Sequence, residues 1–535
     1  MVDTTSSHKE SSGSTRTALS NENHVSLKSW IAVSGTLLGA FMAILDIQIT
    51  NSALRDIQGA LSATIEEGSW ISTAYLVAEI IVIPLTAYLA RVFSVQRYLL
   101  VNVLLFLFFS SCCATAWNLE SMIVFRVLQG FTGGVLIPMG FTTVLLKLPP
   151  AKQPIGFTGF MVAATFGPAI GPTIGGWLTE NYGWQYIFYV NWFPGLLLAS
   201  AVWYGLEPQP LQLQLLRRGD WWGILTMAIG LACLEVVLEE GNRKDWFESD
   251  LITHLAILAA ISLTIFLWIE LTRADPFINL RLLRQRNFGL SAIVNLVNGL
   301  GLYGLVYLIP LYLVQVQGYN ALQIGMVLAW FGIPQLLILP FLPRLMRYFD
   351  LRLLIGVGMS LVAVSCLMNS TMTHDTGSDQ LVISNIVRAL GQPFILTPLS
   401  AIATTSLKKE QAGSASALFN IMRNLGGSIG IAALDTLLTR REQFHSERIG
   451  EAVSLYNLST QQRLEQMTQF FVNQGSDLGT AYEQALSVIS NMVQRESYVM
   501  AYNDCFYSIG ITLLLSSLLL LFCKNVKANN RASAH

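Results

Sequence analysis

The sequence has little charge for its length. Only 12% of its 535 residues are Asp, Glu, Lys or Arg, whereas 53% are hydrophobic and the mean hydropathy is +0.51. Soluble domains carry roughly a quarter charged residues, so this chain lacks the polar surface that soluble domains of this total length require. Its formal net charge of −1 gives no sign of nucleic-acid binding. The composition therefore excludes an ordinary soluble protein and favours a membrane protein.

Catalytic signatures and paired cysteines are also missing. The sequence has no phosphate-cradling G-x-x-x-x-G-K-[ST], no H-E-x-x-H, and no G-x-S-x-G accompanied by triad partners. These absences disfavour ATP-driven pumping and hydrolysis, and we expect no enzyme activity, no metal and no cofactor. Six cysteines lie in or beside apolar segments without paired spacing, which predicts small core residues rather than disulfides or metal ligands. They are Cys112, Cys113, Cys233, Cys366, Cys505 and Cys523.

Long apolar segments recur from Trp30 almost to the C-terminus. A helix needs about 20 such residues to cross the hydrocarbon core, where irregular backbone cannot face lipid. The pattern predicts an all-α membrane protein with about fourteen spans, and a disordered tail over 1–29 in place of a signal peptide. The spans lie near 30–53, 68–90, 98–117, 121–146, 155–179, 185–206, 221–239, 251–271, 288–314, 321–342, 352–370, 381–405, 413–439 and 500–523.

Basic residues divide unevenly between the two sets of short loops. Lys and Arg collect in cytoplasmic loops. Fifteen lie on one side: Arg91, Arg97, Lys147, Lys152, Arg217, Arg218, Arg273, Arg281, Arg284, Arg286, Arg344, Arg347, Arg352, Lys408 and Lys409. Three lie on the other side: Arg55, Arg243 and Lys244. The asymmetry predicts that both termini are cytoplasmic, in agreement with an even number of spans.

One long polar stretch, 440–499, falls on the extracytoplasmic side of this topology. It is rich in Gln, Glu and Ser, and two parts of it, Thr460 to Phe471 and Leu478 to Gln494, are compatible with helices. Loops of this length are usually functional or disordered. The segment has two interpretations at this point: a solvated connector or a docking surface for a partner.

Three ionisable residues in the first half of the chain fall inside apolar spans. Asp46 lies about two thirds along the first span, Glu79 near the centre of the second, and Arg126 in the fourth. Placing each of these side chains in the hydrocarbon core costs roughly 2.5–3.5 kcal/mol, so each requires a functional or a structural explanation. A structural ion pair is the plain alternative for any one of them. We hypothesise that Asp46 and Glu79 share proton and cation binding, with Arg126 as the modulating positive charge.

Three further charged residues lie inside later spans. Glu235 is in the seventh span, which we expect at the periphery of the bundle, and this makes it a weaker candidate. Arg388 and Arg423 are in the twelfth and thirteenth spans. All three are secondary candidates for the coupling machinery.

Glycine and proline are concentrated in the fifth span. Proline kinks a helix, and glycine at every fourth position lets two helix backbones approach closely in lipid. A bent, smooth helix of this kind can rock against a neighbour, as alternating access requires. A second small-residue surface, Asn424 to Gly430, is a candidate counterpart in the thirteenth span. The residues of the first run are Gly167, Pro168, Gly171, Pro172, Gly175 and Gly176.

These patterns resemble the fourteen-span drug:proton antiporters of the major facilitator superfamily, and most of all the EmrB-type inner-membrane subunits of tripartite pumps. The resemblance runs from about residue 30 to 523. Leu45 to Leu54 looks like the first-span acidic motif, and Arg126 to Gly130 resembles the fourth-span arginine motif, which is linked to proton transfer in the superfamily. Gly167 to Gly176 is similar to the antiporter motif, which implies export. Trp184 to Phe188, followed by Asn191, also fits.

The resemblance implies a major facilitator fold with two six-helix halves and two inserted helices. The implied division is a cytoplasmic tail over 1–29, halves over 30–206 and 272–523, inserted helices over 207–271, and a cytoplasmic tail over 524–535. In EmrB-type pumps the long loop before the last span is matched by a periplasmic adaptor. The 440–499 segment resembles that arrangement and implies an EmrA-like adaptor and an outer-membrane channel as partners.

Two departures from the family pattern concern loops. Arg91 occupies the cytoplasmic loop motif, but Ala90 and Phe93 replace the usual Asp and Gly there. This weakens any gating salt bridge at that loop. Arg55 stands where the family often has proline at the end of the first-span motif.

The sequence thus predicts export of hydrophobic drugs or toxic compounds across the bacterial inner membrane, driven by the proton gradient and without a cofactor. One alternative is a proton-coupled transporter of a defined solute, such as a siderophore or an organic anion. Another, from a different class, is a membrane sensor that transports nothing. Substrate identity, proton stoichiometry and the order in which the acids titrate do not follow from the sequence.

Overall fold

The computed structural model describes residues 25–149, 152–217, 219–273, 276–404, 407, 411–454 and 456–524, and all regular structure in these ranges is helical. The tails predicted at 1–29 and 524–535 lie almost wholly outside the described residues, as do Arg218, Lys408 and Lys409. Five of the six cysteines are buried and Cys112 is half-buried, and all six are free thiols. The cysteine prediction is therefore confirmed.

Fourteen long helices form the body of the protein. In chain order they are α1 Leu27–Ser52, α2 Trp70–Phe93, α3 Val95–Ala114, α4 Leu119–Lys147, α5 Gln153–Tyr182, α6 Tyr186–Gly205, α7 Trp221–Glu240, α8 Asp250–Thr272, α9 Arg286–Gln315, α10 Ala321–Ile338, α11 Leu351–Asn369, α12 Ser378–Thr404, α13 Ala412–Ala452 and α14 Leu478–Phe522. Short helices connect or extend them: Leu54–Ala60, Ile65–Gly68, Gln214–Arg217, Trp246–Glu248, Leu280–Arg284, Leu342–Tyr348 and Leu458–Asn473.

Eleven of these helices are long and apolar enough to cross a membrane, and α5 adds a twelfth when its two bent parts count as one span. The parts of α5, Gln153–Pro168 and Ile170–Tyr182, meet at 43°. The remaining two helices, α10 and α13, occupy the tenth and thirteenth predicted spans. The protein is therefore a multi-pass, all-helical membrane protein, and its helices are compatible with fourteen spans.

Polar caps mark several helix starts. The side chains of Asn118 and Asn320 accept hydrogen bonds from the backbone N–H groups three residues later, each at 2.9 Å, at the beginnings of α4 and α10. The first N–H groups of a helix lack intrahelical partners, so such side chains satisfy them where a helix begins. These caps set where two of the predicted spans enter the membrane.

The helices pack in two groups that meet along a shared interface. In the first group, α1 packs against α5 and α6, and α2 packs against α4. In the second, α9 packs against α13, and α11 packs against α12 and α14. The two groups meet where α5 contacts α10 and α12, and where α2 contacts α13. Charged residues on α2 and α13 consequently face the interface between the groups.

The two helices expected as an inserted pair, α7 and α8, differ in their contacts. Helix α7 packs against α2 and α13 as well as against α8. At its C-terminal end, Glu240 accepts hydrogen bonds from Ser69 at 3.0 Å and Thr73 at 3.1 Å in the first group. The following loop bonds the second group, where Asn242 donates to Asp435 at 2.7 Å. Helix α8 is peripheral, because most of its apolar surface is exposed, whereas α7 has one buried face and one exposed face.

The 440–499 segment is helical over most of its length. Helix α13 continues to Ala452, Leu458–Asn473 follows, and α14 already begins at Leu478. The two helix-compatible parts of the sequence thus lie in helices. Asp504 ties the two long helices together, since it accepts hydrogen bonds from Arg441 Nε at 2.5 Å and pairs with His445 Nε2 at 2.8 Å.

Candidate functional site: two buried charge sites

The first buried charge site joins the first-span acid to the fourth-span arginine. Asp46 Oδ2 lies 2.9 Å from Arg126 Nη1, and each side chain is 1% exposed. The arginine also donates from Nε to the carbonyl of Ile71 at 3.2 Å. Its guanidinium stacks over the ring of Tyr75, 4.3 Å from the ring centroid. The structure therefore brings together two of the three residues that the sequence singles out as the primary coupling set.

Two amide side chains complete the bonding of Asp46. Asn191 Nδ2 donates to Asp46 Oδ1 at 2.5 Å, and Gln129 Nε2 donates to the same oxygen at 3.1 Å. Gln129 also accepts from Arg126 Nη1 at 2.8 Å. We refer to Asp46, Arg126, Gln129 and Asn191 as the paired site. Every oxygen of its carboxylate has a partner, as a buried charge requires.

Sequence reasoning missed Gln129 and Asn191 as site residues. Gln129 carried a usable signal, because a residue three positions after Arg126 shares its helix face. Asn191 was noted only as part of the family resemblance, and its contact with Asp46 spans 145 residues of the chain, which local patterns do not reveal. Tyr75 was also missed, although it lies one helical turn before Glu79 on the same face of α2.

The second primary acid, Glu79, lies apart from this network. It is 5% exposed, and its Oε2 has no hydrogen-bond partner among the described residues. The positive charges that act on it are Arg423, from the second helix group, and then Arg126. Glu79 therefore faces the interface between the two groups, whereas Asp46 is enclosed within one.

Glu235 joins Glu79 at this interface. It is 2% exposed, and its Oε1 accepts a hydrogen bond from Ser428 Oγ of α13 at 2.9 Å. The negative charges of Glu239 and Glu79 act on it, and its Oε2 has no partner among the described residues. Helix α7 packs against both α2 and α13, so Glu235 is buried although another face of the helix, with Trp222 and Leu225, is exposed.

The two secondary arginines are buried in different surroundings. Arg423 stacks over Phe160 of α5, 5.3 Å from the ring centroid, while its Nε and Nη2 lack partners in the described part of the chain. Arg388 stacks over Phe331 at 3.7 Å, and Cys366 is the one titratable group that acts on it. Arg388 thus lies outside the paired site and apart from Glu79 and Glu235.

The glycines of α5 face α1 at its motif. A Cβ added at Gly167 would lie 2.9 Å from Ile44 Cγ2, and one at Gly171 would lie 2.5 Å from Gln48 Cβ. One at Gly175 would overlap Ser52 Oγ. Pro168 and Pro172 lie within the same helix, at and after its bend, and Gly176 follows. The smooth face of α5 consequently packs against the part of α1 that carries Asp46.

The small-residue surface of α13 makes the matching contact in the second group. A Cβ added at Gly430 would lie 2.8 Å from Leu300 Cα, and one at Gly427 would lie 2.6 Å from Tyr303 of α9. The fifth helix of the first group and the fifth helix of the second group thus both use glycine to approach the first helix of their group. Arg91, in contrast, is exposed in the last turn of α2 and lies outside the paired site.

The model of the Major Facilitator Superfamily matches residues 36–431, most of the chain. The chain belongs to the Major Facilitator Superfamily. It is 35% identical over 494 residues to the Colistin resistance protein EmrB of Acinetobacter baumannii, a match that covers 92% of this chain and 96% of the relative. It is also 30% identical to the Multidrug export protein EmrB of Escherichia coli, covering 90% of this chain and 93% of that protein.

A solved structure of the same superfamily has the same fold. The proton:xylose symporter XylE aligns with a TM-score of 0.60 at 12% identity, covering 95% of this chain and 98% of the symporter. An identity this low supports the fold alone. The superfamily match and the EmrB relatives confirm the resemblance predicted from the motifs, and they make this chain a transporter rather than an enzyme.

Proposed function

We propose that this transporter exports lipophilic compounds, drugs among them, across the bacterial inner membrane in exchange for protons. Two relatives that match over nine tenths of the chain are named for multidrug export and for colistin resistance. The observation that carries the coupling is the fully bonded, 1% exposed Asp46–Arg126 pair beside the glycine face of α5. A buried ion pair that a proton can break is a means of linking proton entry to helix movement.

Charge balance explains how a proton would act at the paired site. Adding a proton to Asp46 leaves Arg126 without its counter-charge in a low-dielectric interior, where breaking one side of a buried pair costs about 3–5 kcal/mol. That energy favours a rearrangement in which Arg126 finds other partners or water. Arg126 already contacts Ile71 O and the ring of Tyr75, both on α2, so its movement bears on the contact between α2 and α4.

The glycine faces supply surfaces on which such a rearrangement can proceed. Helices whose contact is made of backbone and small side chains can slide without interlocking side chains resisting them. Both α5 on α1 and α13 on α9 have such contacts. Alternating access then requires rocking of the two helix groups about the substrate site between them. The proton gradient drives the cycle, and the proposal needs no cofactor.

The same proposal covers orientation and assembly. Both termini lie in the cytoplasm by the loop charge asymmetry, and the helical 440–499 segment then projects into the periplasm. Several large apolar side chains there are exposed, which is typical of a surface that meets another protein. Tyr456 is 98% exposed, Leu458 67%, Phe470 57% and Leu478 72%. We assign this surface to an EmrA-like periplasmic adaptor, which in turn reaches an outer-membrane channel.

Co-purification with a candidate adaptor tests the assembly. We expect Leu458→Glu combined with Phe470→Glu to lower adaptor recovery at least about tenfold, since a charge in an interface core is strongly disfavoured. Tyr348→Glu is the matched control, because Tyr348 is 85% exposed on the opposite, cytoplasmic side of the predicted topology. Equal adaptor recovery with wild type and the double variant would contradict the assigned surface.

Everted membrane vesicles from a pump-deficient bacterium test the export function. Uptake of ethidium into vesicles is recorded with and without nigericin, which collapses the pH gradient. We expect uptake that stops with nigericin, and a loss of at least about tenfold in Asp46→Asn, equivalent to about 1.4 kcal/mol or more. Asp56→Asn, an exposed acid just beyond α1, is the control and keeps wild-type uptake.

The result separates the alternatives. Uptake of one defined solute with no competition from other lipophilic compounds would replace drug export by specific transport. Uptake that nigericin leaves unchanged would remove proton coupling from the proposal. Substrate binding by the purified protein with no uptake of any compound tested would favour a sensor.

A further inference from the structure

Three buried ionisable side chains lie on three helices that contact one another between the helix groups. Glu79 comes from α2 of the first group, Arg423 from α13 of the second, and Glu235 from the inserted helix α7. Their exposed fractions are 5%, 2% and 2%. We refer to these three residues as the central site. Helix α7 packs against both α2 and α13, so a ligand bound at Glu235 lies at the contact of both groups.

The central site has bonding capacity that the protein leaves unused. Glu235 is held through Oε1 by Ser428, at 2.9 Å, while its Oε2 has no partner within the described ranges. The Oε2 atom of Glu79 and the Nε and Nη2 atoms of Arg423 likewise lack partners there. Buried polar atoms without partners cost about 1–3 kcal/mol each, and more when they are charged. Such atoms in a transporter indicate a place where a ligand completes the bonding.

The charge count gives the sign of that ligand. Two carboxylates face one guanidinium, which leaves one negative charge without a partner. The neighbouring charges do not correct this balance, because Asp46 and Arg126 neutralise each other and Glu239 adds a further negative group on α7. The nearby tyrosines, Tyr75 and Tyr303, carry phenol groups, which are uncharged at neutral pH and so add nothing to this count. Each proton or monovalent cation that binds removes one negative charge from this excess, and a low-dielectric site strongly favours a neutral state.

We propose that Glu235 is a specificity-determining residue, which together with Glu79 binds the positively charged group of a lipophilic substrate. The inference rests on the proposed export function and adds the inserted helix to its substrate site. The exchange balances in charge: when the cation enters, the carboxylic O–H of the central site releases its proton, and when the cation leaves, the carboxylate takes up a proton again. The ring of Phe160 beside Arg423 offers apolar contact for the rest of the substrate.

The test compares a permanent cation with an uncharged compound in the same vesicles. Ethidium and chloramphenicol uptake are measured for wild type and Glu235→Gln, normalised to the amount of transporter in the membrane. We expect the ethidium-to-chloramphenicol rate ratio to fall at least about tenfold in Glu235→Gln. The matched control is Glu270→Gln, which removes the carboxylate of the other inserted helix. Glu270 is 0% exposed and, like Glu235, has one bonded oxygen and one without a partner in the described ranges, but its bonded oxygen accepts from the N–H of Ile278 rather than from α13. We expect the ethidium-to-chloramphenicol rate ratio of Glu270→Gln to equal that of wild type.

A second variant keeps the proposal testable if Glu235→Gln does not accumulate. Ser428→Ala retains both carboxylates and removes the hydrogen bond that orients Glu235, so we expect the rate ratio to fall about threefold to tenfold, as the loss of one hydrogen bond of about 1 kcal/mol implies. An unchanged ratio in either accumulating variant overturns the inference and leaves the export function intact. Wild type that exports neither compound overturns the export function itself, and this inference with it.

Discussion

Asp46 and Glu79 are carboxylic acids at similar burial in neighbouring parts of one helix group, yet their surroundings differ completely. Asp46 has an arginine and two amides on its two oxygens, all within 3.1 Å. Glu79 has an oxygen with no partner in the described part of the chain, and its principal counter-charge, Arg423, belongs to the other helix group. Burial alone therefore does not distinguish the roles of the two acids, whereas their hydrogen-bond and ion-pair partners do.

The comparison distinguishes a site that holds two helices in one arrangement from a site that can bind a ligand. A fully bonded charge pair is stable until a proton breaks it, so the paired site suits a switch between two helix arrangements. A carboxylate with unused bonding capacity is stable only when a proton or a cation neutralises it, so the central site suits a ligand. The two sites are also electrically linked, since the charges of Arg126 and Asp46 act on Glu79.

The largest expected effect comes from unpairing Asp46. Asp46→Asn leaves the buried Arg126 without a counter-charge and should lower the free energy of unfolding by about 3–5 kcal/mol. Glu79→Gln loses no ion pair and should lower it by less than about 1 kcal/mol. Thermal unfolding of the purified variants in detergent measures both, with Asp56→Asn as the exposed control. Equal losses for Asp46→Asn and Glu79→Gln would break the distinction between the sites.

Removing both charges of the pair sharpens the same comparison. In Asp46→Asn combined with Arg126→Gln no charge is left unpaired, so the double variant should regain at least about 2 kcal/mol relative to Asp46→Asn. Its proton-coupled export should stay absent, because no carboxylate remains to take the proton. The two single variants and the double variant form a cycle, and additive losses in that cycle would show that the pair contributes no coupling energy.

The helix contact beside the paired site is the next test. Gly171→Ala places a Cβ against Gln48 of α1 and should cost about 1–3 kcal/mol of stability through overpacking. It should also slow ethidium export more than its effect on stability alone, because α5 can no longer slide on α1. Gly59→Ala, at a position with no neighbouring atom within 4 Å, is the control. Full export by Gly171→Ala would remove sliding of α5 from the mechanism.

The smallest effect is expected at the edge of the paired site. Asn191→Ala removes one of three groups that bond Asp46 while the ion pair persists, so stability should fall by about 1 kcal/mol, the usual value of one hydrogen bond within a membrane protein. Asn181→Ala removes an exposed asparagine that bonds only within its own helix. A loss with Asn191→Ala as large as that of Asp46→Asn would mean that the amide, rather than the arginine, holds the acid in place.

Much of the fold followed from the sequence because membrane spans have a simple physical signature. Apolar length predicted the helices, and the costly charges within them singled out Asp46, Glu79 and Arg126, though not which acid pairs with the arginine. Glycine spacing predicted the smooth face of α5, though it did not indicate which helix that face meets. These predictions depend on local sequence, which is where the hydrocarbon core imposes its requirements.

The central site did not follow, because it depends on packing between distant parts of the chain. Nothing in the local sequence of α7 predicts its contacts with α2 and α13. Its apolar residues are equally compatible with a helix that faces lipid. Glu235 was accordingly expected at the periphery. Its neighbour Ser428 is 193 residues away, a distance that local patterns do not bridge. The sequence indicated helical stretches within 440–499, but it did not indicate that α13 continues to Ala452 or that Leu478 begins the same helix as the last span.

Proton movement during transport tests the central claim most directly. The purified protein is reconstituted into liposomes that contain a pH-sensitive dye, and ethidium is added outside in the absence of any imposed gradient. We predict that the lumen becomes more alkaline as ethidium enters the wild-type liposomes, since protons leave in exchange, and that Asp46→Asn shows no such change. Ethidium entry without a change in lumen pH, or an equal change in Asp46→Asn, would contradict proton exchange through the paired site.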